Sequence, residues 1–325
     1  MRPAFSVIFL TTLIGVGQGL FLALFTGQTC SALELLPAQD PVRFYALGTA
    51  IALVFLAGGL VASFWHLGRP ERAWRTAARW RTSWLSREVI ILPAMMGLAF
   101  VYGVLHLTGW DIALYRTEAG AVIRASLVVG ALAALAAFAL FVSTGMIYAS
   151  IRFLQEWASP LTVVNYTLLG AASGFTLAAA FASHTAAGLT RFYGAWAILI
   201  TVAALVTRSA SLMRNARIKR NSSVQTAIGI RHSQIRQKAQ GQMGGSFNTR
   251  EFFHGRSAEF LETVKWLCLS LTFLAPVTLL GVGLVSGSGD ALLAAFVAQY
   301  TGLVAERWLF FAQAHHPQNL YYQTI

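Results

Sequence analysis

Between two long apolar runs lies the stretch "HLGRPERAWRTAARWRTSWLSRE", residues 66–88, with six arginines and two glutamates in a chain that is only 11% charged. It opens on His66 and closes on Glu88. Gly68 and Pro70 stop the preceding helix and turn the chain, and Ser83 and Ser86 are placed to cap the next one. The stretch is therefore a short return loop that brings His66 and Glu88 face to face at similar depth. Ionisable residues at membrane depth are costly, so a functional role is the default reading. A histidine titrates near neutral pH, and beside a carboxyl it suits proton exchange with a small polar headgroup at the interface. A quinone needs such a site: a hydrogen-bond donor for each carbonyl, and groups that give or take two protons. The same pair would also serve simply to tie two helices together, and spacing does not separate the two readings. Tyr148 and Arg152, on one face at the end of a later apolar run, are the next candidates to line such a site.

The elements that must position these residues are transmembrane helices. Of 325 residues 56% are hydrophobic and the mean hydropathy is +0.61, against about 45–50% apolar residues in a soluble domain. No Asp, Glu, Lys or Arg occurs between Arg2 and Glu34, Arg43 and Arg69, Glu88 and Asp111, Arg124 and Arg152, Glu156 and Arg191, or Lys265 and Asp290. An uncharged apolar run of about 18 residues or more can span a bilayer as a helix. The runs predict an all-α polytopic membrane protein, residues 1–325 forming one bundle of eight helices near 4–30, 43–66, 87–109, 122–143, 161–182, 192–213, 260–284 and 290–312. The first run is long and lacks a convincing cleavage site, so it reads as a retained helix. Arg208 near the end of the sixth is expected to snorkel to the interface. Glu306 and Arg307 must lie at the end of the eighth or inside the protein. The small-residue spacing in "GVGQG" (Gly15 to Gly19) and "GAASG" (Gly170 to Gly174) is that of closely packed helices.

Charge distribution gives an orientation. With eight spans, 20 of the 24 Lys and Arg residues fall on the side of the N-terminus and only Arg43, Arg116, Arg124 and Arg191 on the other. Basic loops stay in the cytoplasm, so both termini and the main basic loops are expected there, against anionic lipid headgroups or an acidic partner. The charges flank spans and form no separate basic domain, which speaks against nucleic acid. Residues 214–259 form the long extramembrane segment, polar and Gln-rich with too few apolar residues for a core. It reads as a cytoplasmic docking loop ordered by a partner. Arg69, Arg75, Arg79, Arg231, Arg236, Phe247, Arg250, Phe252 and Phe253 are its and the first loop's candidate docking residues.

Several chemistries are not served. Cys30 and Cys268 cannot supply the four thiolates of a usual iron–sulfur cluster, and no P-loop or Rossmann pattern is evident. The chain alone is thus short of redox or hydrolytic machinery. His106 and His184, near the opposite face, could ligate a haem iron as one histidine from each of two helices, but nothing in their spacing is specific. A transporter would show charged or broken helices near midplane and an internal repeat; here the span centres are almost charge-free and no clear repeat is present. A passive scaffold would not need His66 and Glu88.

"HLGRPERA" (His66 to Ala73) followed by "SWLSRE" (Ser83 to Glu88) resembles the DMSO reductase membrane-anchor family (DmsC), and the eight-span plan extends the resemblance over most of the chain. The resemblance implies the membrane-embedded part of a three-part complex. The metals reside in two partners, a molybdopterin catalytic subunit and a four-cluster iron–sulfur subunit. Electrons pass between the last cluster and a quinone, ubiquinone or menaquinone, in the anchor; no haem is expected. By position, His66 and Glu88 match the family's quinone-site His and Glu, and Arg72 the motif arginine that follows. Within the family, "AERWLFFAQAHHPQNLYYQ" and "QGQMGGSFNTREFFHG" look most similar to anchors of cytoplasmic sulfite-oxidising complexes. That similarity implies sulfite oxidation, with quinol oxidation for a DMSO-type terminal reductase as the alternative.

Overall fold

The computed structural model describes residues 4–65, 67–116, 122–219, 221–236 and 258–317. His66, Phe247, Arg250, Phe252 and Phe253 lie outside the described residues. The uncharged runs do become helices: α1 (Phe5–Ala32), α2 (Leu47–Phe64, entered through a π turn at Pro41–Ala46), α3 (Trp84–Thr108), α4 (Ala125–Ala149), α5 (Pro160–Thr185) and α6 (Thr190–Ala216). After the short exposed α7 (Val224–Ile228), α8 (Ala258–Leu269) runs through a π segment, Ser270–Leu274, into α9 (Ala275–Ser286), and α10 (Gly289–Ala312) follows. Among the described residues seven of these helical stretches are long and apolar enough to cross a membrane. The eighth long helix, α10, has 24 residues but carries Asp290, Glu306 and Arg307. Helices in succession put the starts of α1, α3, α5 and α8 and the ends of α2, α4, α6 and α10 on one face, called here the N-terminal face.

Helix ends follow local chemistry. Ser83 caps α3 by accepting from the Ser86 N–H at 3.3 Å, so α3 begins at Trp84 rather than near 87. Ser159 caps α5 just before Pro160, which sits where its missing N–H costs nothing. Gly109 (φ 74°) and Gly287 (φ 70°) close α3 and α9 in the left-handed conformation that a side chain disfavours. α4 starts at Ala125 rather than 122 because Val122–Arg124 pairs antiparallel with Ala113–Arg116. Asp111, just before that hairpin, accepts from the Ser126 N–H (2.8 Å) and Oγ (2.7 Å) and so serves the first turn of α4.

The bundle centres on α1, whose middle is buried nearly all round. Its glycines meet those of α5: a Cβ on Gly19 would overlap the Gly170 backbone, and one on Gly174 would overlap the Gly19–Leu20 backbone. The small-residue spacing therefore marks a backbone-to-backbone contact, as its pattern predicts. A tertiary contact also serves the π segment. Gln299 of α10, buried, reaches Thr201 Oγ1 at 3.0 Å and the Thr272 carbonyl at 3.4 Å, giving a partner to a backbone oxygen in the irregular turn, as lipid-embedded backbone requires. Gly174→Ala is expected to cost about 1–3 kcal/mol or more through overpacking, read as a lower thermal midpoint in detergent. Gly97→Ala, where a Cβ meets nothing within 4 Å, should leave that midpoint unchanged or higher.

Candidate functional site

The loop from span two to span three is more structured than a simple turn. Pro70–Arg79 forms a 3-10 helix with no buried residue. Ser86 proves to be buried, and its Oγ donates to the Thr76 carbonyl at 2.5 Å, so it pins this helix to the start of α3 instead of capping. Arg87 adds a clasp: Nε and a terminal nitrogen donate to the Trp80 and Arg81 carbonyls, each at 2.9 Å, while the guanidinium lies 4.0 Å above the Trp84 ring. Arg69, Arg72, Arg75 and Arg79 lie on or beside this helix and are at least partly open to solvent. Arg72 has Glu71 as its ion-pair neighbour at 3.9 Å, with both side chains mostly in the open.

Glu88, one turn into α3, turns the other way. It is 6% exposed, and its Oε1 accepts from Thr144 Oγ1 of α4 at 2.5 Å. The carboxyl thus sits in the α3–α4 seam with one oxygen held and a small part of its surface open. Tyr148, one turn beyond Thr144, is close enough to interact electrostatically with Glu88. Its ring is the hub of an aromatic cluster: stacked on Tyr166 (5.5 Å between centroids) and edge-on to Trp157 (5.4 Å), Phe310 (5.5 Å) and Phe311 (5.4 Å). Arg152 lies past the end of α4 and is exposed. The fold therefore joins Glu88 and Tyr148, while Arg72 and Arg152 stay on the surface; Arg231 and Arg236 lie on the surface as well.

Sequence reasoning missed the largest polar feature. Arg208 does not snorkel to the interface: it is 2% exposed, and its Nε lies 2.9 Å from Glu306 Oε1. Arg307 Nη2 is 3.5 Å from the other oxygen of Glu306, and its guanidinium stacks 3.6 Å over the Tyr166 ring. The carboxylate is thus shared by two cations through charge pairing with imperfect hydrogen-bond angles. Glu306–Arg307 inside the span was a legible signal that a partner was needed; that the partner is Arg208 was not. Counting 1.5 Å per residue from the helix ends, Glu88, Thr144, Tyr166 and Arg307 all lie about 6–9 Å below the N-terminal face and Arg208 about 12 Å.

The opposite face holds a different polar set. His106 is buried, stacked on Tyr45 (4.7 Å) and edge-on to Tyr102 (4.6 Å), with Nε2 3.3 Å from Gln28 Nε2. Gln28 donates to Ser126 (2.7 Å), which donates to Asp111. His184 instead packs against the start of α10 at Gly289. Among the described residues no group of three or more His, Cys, Asp or Glu side chains could hold a metal ion.

Residues 2–311 match the family described as the DMSO reductase anchor, DmsC. The chain belongs to that family. It is also 56% identical to the C subunit of the sulfite dehydrogenase of Allochromatium vinosum over 325 residues, the full length of both chains. As a family member it is a membrane protein whose role is to anchor, and the described helices supply the anchor. Within the anchor the Arg208–Glu306–Arg307 group carries one net positive charge, and this orders the cost of changing it. Glu306→Gln leaves two facing cations and should cost about 3–5 kcal/mol, as an uncompensated buried charge does. Arg208→Met leaves the neutral Glu306–Arg307 pair and should cost less. Thermal unfolding of both variants in one detergent checks the order.

Proposed function

We propose that the chain is the quinone-reactive anchor of a sulfite-oxidising complex, passing electrons from an iron–sulfur subunit to the membrane quinone pool. The observation that carries the site is Glu88, a carboxyl buried one turn into α3 and held on one oxygen by Thr144. This donor set fits a quinone. A quinone takes up two electrons and two protons, and a buried carboxyl can give a proton to one carbonyl oxygen while Thr144 fixes its direction. Tyr148 and the surrounding rings offer an apolar wall with a hydroxyl. His66, which opens the same loop in the sequence, is assigned the second proton-exchanging role; Arg72 shapes the loop, and Arg152 marks the adjoining rim.

The substrate class rests on the full-length similarity to a sulfite dehydrogenase component. Sulfite and water give sulfate, two electrons and two protons, the amounts that one quinone consumes. The sulfite chemistry belongs to a molybdopterin catalytic partner, and a four-cluster iron–sulfur partner bridges it to the anchor. These partners dock on the N-terminal face, on the exposed arginines of the Pro70–Arg79 helix and on the 214–259 loop with Arg231 and Arg236. The 20-to-4 division of basic residues supports placing that face in the cytoplasm of a bacterial inner membrane. The family name keeps a second reading in play, a quinol-oxidising anchor of a DMSO-type reductase.

Membranes containing the assembled complex should reduce added quinone when given sulfite. Quinol oxidation by DMSO with no response to sulfite would overturn the substrate assignment and leave the family standing. His66→Ala and Glu88→Gln should each abolish quinone-linked turnover, while dye-linked activity of the catalytic partner and assembly of the complex survive; normal quinone-linked rates in both variants would move the site elsewhere. Reporter fusions after residue 240 and at the C-terminus should both report cytoplasm, and a periplasmic signal from either would overturn the assigned topology.

A further inference from the structure

Behind Thr144, on the side away from Glu88, α1, α4, α5 and α10 enclose a small cavity of about 20 Å³, room for roughly one water. Its lining includes Thr144, Gln18, Tyr166, Ser173 and Arg307. Gln18 is 1% exposed, and among the described residues neither its amide nitrogen nor its amide oxygen has a hydrogen-bond partner. Arg307 Nε is likewise unpartnered. The Tyr166 hydroxyl lies toward Tyr148 and Arg307 but closes no hydrogen bond of good geometry with either. Four buried polar atoms around a water-sized space are too costly to leave dry, and an ordered water makes two to four such bonds. Thr144, which lines this cavity, also donates to Glu88.

We infer that this cavity holds an ordered water which, with Thr144, forms a proton relay to Glu88. The inference rests on Glu88 being the proton donor of the quinone site. Glu88 gives its proton to a quinone oxygen as electrons arrive. The Thr144 hydroxyl then passes its proton to the Glu88 carboxylate and takes one from the cavity water, which is restored by a proton from bulk water on the N-terminal face, about 7.5 Å of helix away at the end of α4. One O–H bond breaks and one forms at each transfer, so the relay groups end as they began and one proton moves. Gln18, Tyr166 and Arg307 hold the water; they are positioning residues. Arg307 belongs to a group of net positive charge, which disfavours an extra proton resting in the cavity and favours its onward passage to a carboxylate.

Two readouts test this on the assembled complex. Infrared spectra in ¹⁸O-water should show a buried water O–H band in the wild type that Gln18→Leu removes. Thr144→Val should lower quinone-linked turnover roughly tenfold to a hundredfold with unchanged KM for quinone and a larger solvent deuterium isotope effect, and Thr144→Ser should restore most of it. A wild-type spectrum without an ¹⁸O-sensitive buried band overturns the inference, as does wild-type turnover and isotope effect in Thr144→Val. Should Thr144→Val fail to assemble, Gln18→Leu decides by the same isotope effect, which must rise. Glu88→Gln separates the levels: if it keeps quinone-linked turnover, the site reading fails, whereas loss in Glu88→Gln with none in Thr144→Val sinks the relay alone.

Discussion

At Gly19 and Gly174 the backbones of α1 and α5 come so close that only hydrogen fits between them, and much of the bundle takes its place from that contact. Lipid tails are as apolar as leucine, so helices in a bilayer gain little from hiding oil from water. They associate through close packing and through polar contacts that lipid cannot offer. The glycine pair provides the packing. It fixes α1 in the middle and so aims Gln18 inward, while Tyr166 and Ser173 on α5 line the same small space. Two glycines with no chemistry of their own thereby determine where a glutamine with two free hydrogen-bonding atoms ends up.

The polar residues that this packing encloses are not scattered. Glu88, Thr144, Tyr166 and Arg307 come from four helices and share a shallow depth below one face, with Arg208 and Glu306 beside them. Depth follows from cost. A charge at the bilayer centre is expensive, and a charge within a few ångströms of the interface and surrounded by protein is much less so. The proposed quinone site lies in this same shallow layer, on the face where the proposed iron–sulfur partner docks. Stability and function thus favour the same level of the membrane. The loop helix above it is pinned through Ser86 and Arg87, which keeps the arginines of Pro70–Arg79 pointing outward, available to a partner.

Much of this was legible in the sequence, for identifiable reasons. An uncharged run of sufficient length has almost no alternative to a helix, so the spans were found with errors mainly at their ends. Those errors arose where a residue distant in sequence supplies the cap, as Asp111 does for α4, or where a serine chooses a tertiary partner over a local one, as Ser86 does. The glycine motifs announced a close contact because no other residue permits one. The Glu88–Thr144 bond and the Arg208–Glu306 pair were not legible. Each joins residues far apart in the chain, and periodicity along one helix says which face is polar without saying what it meets. Arg208, eight residues from the end of α6, looks from sequence like any arginine able to reach the interface.

The placement of one surplus positive charge beside a carboxyl-bearing seam has a consequence for how the bundle tolerates its reaction. In the proposed function, taking electrons onto a neutral quinone headgroup in a low-dielectric layer builds negative charge unless protons follow, and every charge change there is felt strongly because little water screens it. Among the described residues Arg208 and Arg307 have Glu306 as their shared ion-pair partner, so the group holds a standing positive potential. That potential opposes a free proton resting in the cavity, which Arg307 lines. The group is held by a tyrosine face on one side and a glutamate on the other and is buried throughout, so it cannot relax away during turnover. A fixed charge of this kind acts before the chemistry, at no cost in reorganisation.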